Sequence, residues 1–206
     1  MITIIDSGIC NIGSVLTALE RVGASFAVTT DPARVAQAKS LLLPGVGAFA
    51  DGMEALRRHG LVDPIRAHAA QGKPILGICL GMQLLAESSE EFGTHQGLGL
   101  IPGHVRKLPA APGLRVPNMG WCDMQVQPGA RLFAGLEPGA SFYFVHSYAM
   151  DCADPRHSVG TIAFGPRPVT VAVERDNIFG AQFHPEKSQD TGLAFLANFV
   201  NTVDAQ

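Results

Sequence analysis

The chain has 206 residues, of which 47% are hydrophobic and 16% are charged, and its formal net charge is -3. That length supports one sizeable hydrophobic core, so we expect a single domain over residues 1–206. The small negative charge gives no electrostatic reason to expect a nucleic acid or an anionic membrane surface as a partner.

The four cysteines are widely scattered, with no C-x-x-C pair and no His/Cys cluster at the spacing of zinc ligands. We therefore expect neither a disulfide framework nor a metal site. The opening stretch MITIIDSGICNIG lacks a basic segment before its apolar run, and no apolar stretch approaches the roughly 18 residues of a membrane span. These features predict a cytoplasmic protein with reduced thiols at Cys10, Cys79, Cys122 and Cys152.

The first half of the chain alternates apolar strand patterns with helix patterns. One helix start is well marked, because Asp31 is a predicted N-cap and Pro32 occupies the first helical position. The predicted strands are 2–6, 25–30, 40–45 and 73–79, and the predicted helices are 15–22, 31–38, 50–60, 62–72 and 80–92. Such alternation implies a parallel sheet that is covered by helices on both faces.

After Gly93 the pattern changes to short strands separated by Gly, Pro and Asn. The predicted strands are 104–109, 122–127, 141–150, 158–164 and 169–184. A final helix over 191–203 places Leu193, Leu196, Ala197 and Val200 on one face. We expect an α/β fold with a mostly parallel central sheet and an antiparallel extension of the same domain.

Cys79 lies between two glycines where a predicted strand turns into a helix. The segment Gly77-Ile78-Cys79-Leu80-Gly81 has the spacing of a nucleophile elbow, with sulfur in place of the usual serine oxygen. At the start of a helix, the dipole and the free amide groups favour a thiolate. A free cysteine also often packs as a small buried hydrophobe, and the motif alone leaves that alternative open.

A second candidate group is His184-Pro185-Glu186, at the end of an apolar strand. Residues i and i+2 of an extended segment point to the same side, so His184 and Glu186 can lie close together. A carboxylate beside an imidazole is the orienting pair of a nucleophile, base and acid triad. The alternative is an exposed polar loop, but the elbow cysteine favours the triad. We expect His59, His68 and His157 to be exposed, and His95 and His104 to occupy solvated loop or strand positions.

The loop Pro44–Gly47 follows a strand at the edge where α/β sheets place their ligands. Its free backbone amides could complement the amide of Leu80 to form an oxyanion hole. The loop lacks the G-x-x-x-x-G-K-[ST] pattern of a phosphate loop. A plain turn is the alternative interpretation.

Five motifs occur in order over essentially the whole chain: PGVGAF, GICLGMQLL, VPNMGW, FYFVHSYA and FGAQFHPEKS. Together they resemble the class I, triad-type glutamine amidotransferases. Within that family, the M-G-W, F-V-H-S-Y and H-P-E-K-S versions are most similar to the glutaminase subunits of imidazole glycerol phosphate synthases. Rival interpretations are another glutaminase of the superfamily and a regulatory relative without catalysis. The motifs argue against the first and the intact triad argues against the second.

The resemblance implies a flavodoxin-like, three-layer fold that hydrolyses L-glutamine to glutamate and ammonia without a cofactor. Cys79 attacks the side-chain amide. His184, oriented by Glu186, protonates the departing ammonia and then activates water against the thioester. The resemblance also assigns the oxyanion donors to Val46 and Leu80.

By position in these motifs, the residues that resemble a glutamine-binding set are Gly47, Gln83, Glu91, Ser147 and Tyr148. Some have simple alternatives, because Gln83 and Glu91 could be ordinary helix surface and Tyr148 a core aromatic.

The resemblance further implies a heterodimer with a cyclase subunit, a (β/α)8 barrel that uses the ammonia. We expect Trp121, Tyr143 and Lys187 at that interface, although a lone tryptophan is more often core. Three residues depart from the commonest family pattern, namely Ser7, Asn118 and Cys122. They bear on how closely the partner contacts copy those of relatives.

Overall fold

The computed structural model describes residues 1–8, 12–109 and 113–204, so Cys10 lies outside the described residues. The strands are β1 (Ile2–Ile5), β2 (Phe26–Thr29), β3 (Leu41–Gly45), β4 (Ile75–Cys79), β5 (Ala86–Ser89), β6 (His95–Gln96), β7 (Ile101–Lys107), β8 (Asn118–Asp123), β9 (Gln125–Val126), β10 (Ser141–His146), β11 (Tyr148–Cys152), β12 (Ser158–Phe164), β13 (Arg167–Arg175) and β14 (Ile178–Ala181). The α-helices are α1 (Gly13–Arg21), α2 (Pro32–Gln37), α3 (Phe49–Arg58), α4 (Val62–Ala70), α5 (Leu80–Leu84) and α6 (Gln189–Asp204). Short 3-10 helices cover Arg131–Phe133, Pro155–His157 and Pro185–Lys187.

The central sheet has the strand order β2-β1-β3-β4-β14-β13-β12-β9. Its pairs from β2 to β14 are parallel, and its pairs from β14 to β9 are antiparallel. A four-stranded sheet (β11-β7-β5-β6) and a two-stranded ribbon (β10-β8) complete the β structure of the described residues. The predicted α/β fold with a mostly parallel sheet and an antiparallel extension is confirmed.

Alternating side chains of the central strands divide the core into two layers. On β3, Leu42 packs into the layer that contains α1 and α6, whereas Leu41 and Leu43 pack into the layer that contains the other four helices. The sheet is therefore buried on both faces, as its apolar strands require. No helix within the described ranges is both long enough and apolar enough to cross a membrane.

The predicted helix 80–92 is wrong beyond Leu84, because the chain turns into strand β5 at Ala86. The carbonyl groups of Leu84 and Leu85 accept hydrogen bonds from the amides of Leu98, Leu100 and Ile101, so a returning segment takes the acceptors that a longer helix would use.

Three predicted strands also differ from the structure. The range 141–150 is split at Ser147 into β10 and β11, which belong to different sheets. The range 122–127 is split between β8 and β9, and 169–184 is a hairpin that turns at Asp176. In the first two cases strand partners distant in sequence decide where the strand ends, whereas the hairpin follows from a local two-residue turn at Asp176 and Asn177.

Two burial predictions need correction. Of the predicted buried face of α6, Leu196 is buried but Leu193, Ala197 and Val200 are only half-buried; the buried face is centred on Phe195, Leu196 and Phe199, because the phenylalanine rings bury the larger apolar area. His68 is fully buried rather than exposed, and its Nε2 lies 3.2 Å from the carbonyl oxygen of Pro74. Burial lowers the pKa of His68 to about 4.

Candidate active site

Cys79 is the last residue of β4 and the residue immediately before α5, as the elbow spacing predicts. Its φ of 55° and ψ of -114° place a non-glycine residue in a backbone conformation that is strained for an L-amino acid. Such strain persists only where the surrounding structure imposes it, and it is concentrated at functional sites. The side chain is buried, with its sulfur 3.8 Å from the amide Nε2 of Gln182.

Two glycines allow this turn. A Cβ on Gly77 would lie 2.6 Å from the carbonyl group of Gly81. A Cβ on Gly81 would overlap the carbonyl oxygen of Leu43 on the neighbouring strand β3. Helix α5 therefore packs against β3 and β4 at a distance that only glycine permits.

His184 and Glu186 follow β14, the parallel neighbour of β4. The Nδ1 atom of His184 lies 2.7 Å from Oε1 of Glu186, and both side chains are almost completely buried. Burial opposes a positive charge on the ring, but the interactions with Cys79 and Glu186 outweigh it and raise the pKa of His184 to about 9. The imidazolium is therefore the stable form at neutral pH.

The backbone around His184 is fixed by two further contacts. Its amide donates to the carbonyl oxygen of Tyr143 on β10 at 2.9 Å. The hydroxyl of Ser188 donates to the carbonyl oxygen of His184 at 2.7 Å. The backbone of His184 is thus held against β10 and against Ser188, the residue that precedes α6.

A cleft of about 400 Å³ opens in front of Cys79 and His184. Predicted site residues that line it are Val46, Gly47, Cys79, Leu80, Gln83, Glu91, Ser147, Tyr148, His184 and Lys187. Glu186 lies behind His184 and lines a smaller adjoining cavity of about 250 Å³. Larger cavities elsewhere on the chain contain neither Cys79 nor His184.

Gln83 is buried, so the alternative that it is ordinary helix surface is wrong. Its Nε2 donates to the main-chain oxygen of Tyr148 at 3.1 Å and to Oε1 of Gln182 at 2.9 Å. Glu91 lies on a turn after β5, not on a helix, and its Oε2 accepts a 2.7 Å hydrogen bond from the amide of Phe49 at the start of α3. Both side chains are therefore held in place at the cleft.

Sequence reasoning missed His146, which also lines the cleft. Its Nδ1 donates to the carbonyl oxygen of Tyr148 at 2.9 Å, and its Nε2 accepts from the side-chain Nδ2 of Asn118 at 3.2 Å. Burial and the nearby positive charge of His184 outweigh the hydrogen bond to Tyr148 and lower the pKa of His146 to about 4. The sequence pattern that could have identified His146 is the alternation along β10, which places it on the buried face with Phe142 and Phe144.

Two residues that depart from the commonest family pattern lie together on β8. The sulfur of Cys122 lies 3.8 Å from both Nδ2 and Oδ1 of Asn118, and Nδ2 of Asn118 also contacts His146. The departures are thus adjacent to the cleft.

The other face of the β8/β10 ribbon is exposed and partly apolar. Trp121 is 48% exposed and Met119 is 64% exposed, so Trp121 is not a core residue. The ring of Trp121 packs edge-on against Tyr143 with centroids 6.0 Å apart. Neither ring lines the cleft, whereas Lys187 does.

Within residues 1–8, 12–109 and 113–204, no group of three or more His, Cys, Asp or Glu is arranged to hold a metal ion. The titratable groups next to Cys79 are the imidazole of His184 and, behind it, the carboxylate of Glu186.

Comparison with known proteins finds a match to the family model "Glutamine amidotransferase class-I" over residues 3–203. The imidazole glycerol phosphate synthase subunit HisH of Syntrophotalea carbinolica is 51% identical over 204 residues, covering 97% of this chain and 98% of that protein. The subunit of the same name from Moorella thermoacetica is 49% identical over 199 residues, covering 96% and 93%. A solved glutamine amidotransferase structure has a TM-score of 0.76 at 19% identity and covers 100% and 99% of the two chains.

The close packing at Gly81 predicts a large effect of Gly81→Ala on stability. Because the added methyl group overlaps the backbone of Leu43, we expect the free energy of unfolding to fall by about 3 kcal/mol. The matched control is Gly52→Ala on α3, whose Cβ would lie 3.1 Å from the flexible ends of Leu80 and Leu84. There the gain in helix propensity offsets the crowding, and a change within about 1 kcal/mol is expected. Urea unfolding measures both, and equal midpoints for Gly81→Ala and the unsubstituted chain would contradict the packing account.

The opposite environments of two histidines predict separate titrations. By NMR, His184 is expected to titrate near pH 9 and His146 near pH 4. Replacement of Glu186 by Gln removes a carboxylate from His184 and should lower the midpoint of His184, while the distant His68 stays near pH 4. A His184 midpoint that does not respond to Glu186→Gln would refute the charge pairing.

Proposed function

Because the chain belongs to the class-I glutamine amidotransferase family, we propose that it is the glutaminase subunit of an imidazole glycerol phosphate synthase. The observation that carries the proposal is that the strained Cys79 elbow shares one cleft with His184, whose ring is paired with the buried Glu186 behind it. We also propose that residues 1–206 act as a single amidotransferase domain, which the match over residues 3–203 supports. The cytoplasmic location stays a prediction.

In the proposed mechanism, the Cys79 thiolate attacks the side-chain carbonyl carbon of L-glutamine. The imidazolium of His184 then gives its proton to the amide nitrogen, which leaves as ammonia, and a γ-glutamyl thioester forms. Neutral His184 takes a proton from water, whose oxygen attacks the thioester. Glutamate leaves and the thiolate is restored. The raised pKa of His184 supports this cycle, because His184 is then protonated at neutral pH and can give its proton to the departing ammonia.

We assign the oxyanion hole to the backbone amides of Val46 and Leu80. Both residues line the cleft beside Cys79. The neighbouring Gly47 has a φ of 99°, which glycine adopts without strain and which leaves this loop able to reorient.

We assign glutamine binding to Gly47, Gln83, Glu91, Ser147 and Tyr148. One oxygen of Glu91 is engaged by the amide of Phe49, and the second oxygen is available for the α-ammonium group of the substrate. Ser147 joins β10 to β11 and Tyr148 is the first residue of β11; both line the cleft.

The ammonia acceptor is a cyclase subunit, and we place its docking surface on the exposed face of the β8/β10 ribbon. Trp121, Met119 and Tyr143 form an apolar group there, and Lys187 lines the cleft. A half-exposed tryptophan beside a tyrosine is a typical interface anchor. The cyclase with its nucleotide ligand is expected to orient the Val46 amide and so activate the glutaminase.

The nucleophile assignment predicts that Cys79→Ala removes glutamine hydrolysis, with a loss of more than about a thousandfold in kcat measured as glutamate release. The matched control is Cys152→Ser, because Cys152 lies on β11 outside the cleft and burial raises its pKa to about 12. We expect that control to keep most of its activity. A folded Cys79→Ala protein that hydrolyses glutamine at near the original rate would overturn the mechanism.

The partner assignment predicts that purified cyclase with its nucleotide ligand raises the glutaminase rate of this chain. Trp121→Ala should weaken the response by about tenfold or more in the cyclase concentration required, because an interface anchor is lost. Val126→Ala, which trims an exposed apolar residue on the edge strand β9, is the matched control and should respond normally. Full activity without cyclase would refute the activation. A normal response of Trp121→Ala would refute only the anchor.

A further inference from the structure

Gln182 is a polar side chain in a fully buried position beside the nucleophile. It follows β14 directly, two residues before His184, and its side chain has no solvent exposure. Its main-chain amide donates to the carbonyl oxygen of Val171 on β13 at 2.9 Å, so its backbone belongs to the sheet. Burying an amide in a core is unfavourable unless its hydrogen bonds are made, so the partners of the Gln182 side chain indicate its role.

The orientation of the Gln182 amide follows from a chain of hydrogen bonds. The main-chain oxygen of Tyr148 can only accept, so the group of Gln83 that contacts it must be the NH2. The same NH2 contacts Gln182 at 2.9 Å, and there it requires the carbonyl oxygen of that side chain. The NH2 of Gln182 is therefore left facing the sulfur of Cys79 at 3.8 Å.

We propose that Gln182 is a positioning residue that donates an N–H to the Cys79 sulfur and holds the nucleophile as a reactive thiolate. This rests on the proposed function only in taking Cys79 as the nucleophile. A donor stabilises a negatively charged sulfur more than a neutral thiol, because hydrogen bonds to ionised acceptors are the stronger ones. Gln83 acts in this scheme by fixing the direction in which the Gln182 amide points.

Several titratable groups share the surroundings of Cys79. His184 supplies a positive charge from the segment after β14, with Glu186 behind it, and Lys187 lies on the same segment. The groups that border the cleft from other elements are Glu91 after β5, His146 on β10 and Tyr148 on β11. Gln182 differs from all of these, because it contributes an oriented dipole that does not change with pH.

The experiment measures the rate at which iodoacetamide alkylates Cys79 as a function of pH, with the labelled residue identified by peptide mass spectrometry. Iodoacetamide is small and uncharged, so the rate reports the thiolate without requiring glutamine to bind. The variants are Gln182→Leu, which keeps the side-chain size without the donor, and Gln182→Glu, which keeps the shape and replaces the NH2 by oxygen.

We expect Gln182→Leu to shift the midpoint of the alkylation profile to higher pH by about one unit. On the acid side of the midpoint, this shift makes the reaction approximately tenfold slower. Gln182→Glu should move it at least as far, because a carboxyl oxygen faces the thiolate. The matched control is Phe183→Leu, which disturbs the equally buried neighbouring position without a polar change and should leave the profile in place. Thermal unfolding checks that each variant is folded.

An unchanged profile in both Gln182 variants would overturn the proposal, as would an equal shift in Phe183→Leu. If the Gln182 variants do not fold, Gln83→Leu provides the second route, since it frees the Gln182 amide to rotate and should shift the profile in the same direction by a smaller amount. If the alkylation profile of Gln83→Leu then shows no shift, the proposed chain from Gln83 through Gln182 to Cys79 is refuted. Failure of the proposed function has a different signature, namely normal alkylation of Cys79 in a chain that releases no glutamate from glutamine with cyclase present.

Discussion

The close contact between α5 and the central sheet is the constraint on which the rest of the site depends. Because Gly77 and Gly81 have no side chains, the helix begins at the end of β4, and Cys79 is forced into a positive φ at the turn. The parallel register then determines what surrounds the sulfur. Gly45 pairs with Cys79 on one side, so the Val46 loop follows there, and Ala181 pairs with Ile78 on the other, so Gln182 and His184 follow there.

Two imidazoles in one cleft are held in opposite protonation states, although both are buried. His184 interacts with the sulfur of Cys79 and the carboxylate of Glu186, which together favour its positive charge despite burial. Burial and the positive charge of His184 keep His146 neutral, because the backbone oxygen of Tyr148 and the side-chain amide of Asn118 supply no full negative charge to offset them. One cleft therefore contains a protonated imidazole, His184, which can donate a proton, and a neutral imidazole, His146. Their pKa values differ because different groups surround the two rings.

The sequence predicted the features that depend on local patterns. Asp31 caps α2 as expected, the apolar runs form the parallel strands, and the spacing of Gly77 and Gly81 identified the turn at Cys79. The errors lie where distant segments decide. Helix α5 ends early because residues after Gly97 take its carbonyl groups, and the contact between Gln83 and Gln182 joins positions that no local pattern connects.

The central claim is that Cys79 carries the substrate as a covalent intermediate, and rapid-quench mass spectrometry tests it most directly. The chain, mixed with cyclase, its nucleotide ligand and glutamine, is quenched in acid during turnover and then digested. The account predicts a peptide that contains Cys79 with the added mass of one γ-glutamyl group, at an occupancy that falls as glutamine is exhausted. Continued glutamate release with no adduct at Cys79, or with the adduct on another residue, would contradict it.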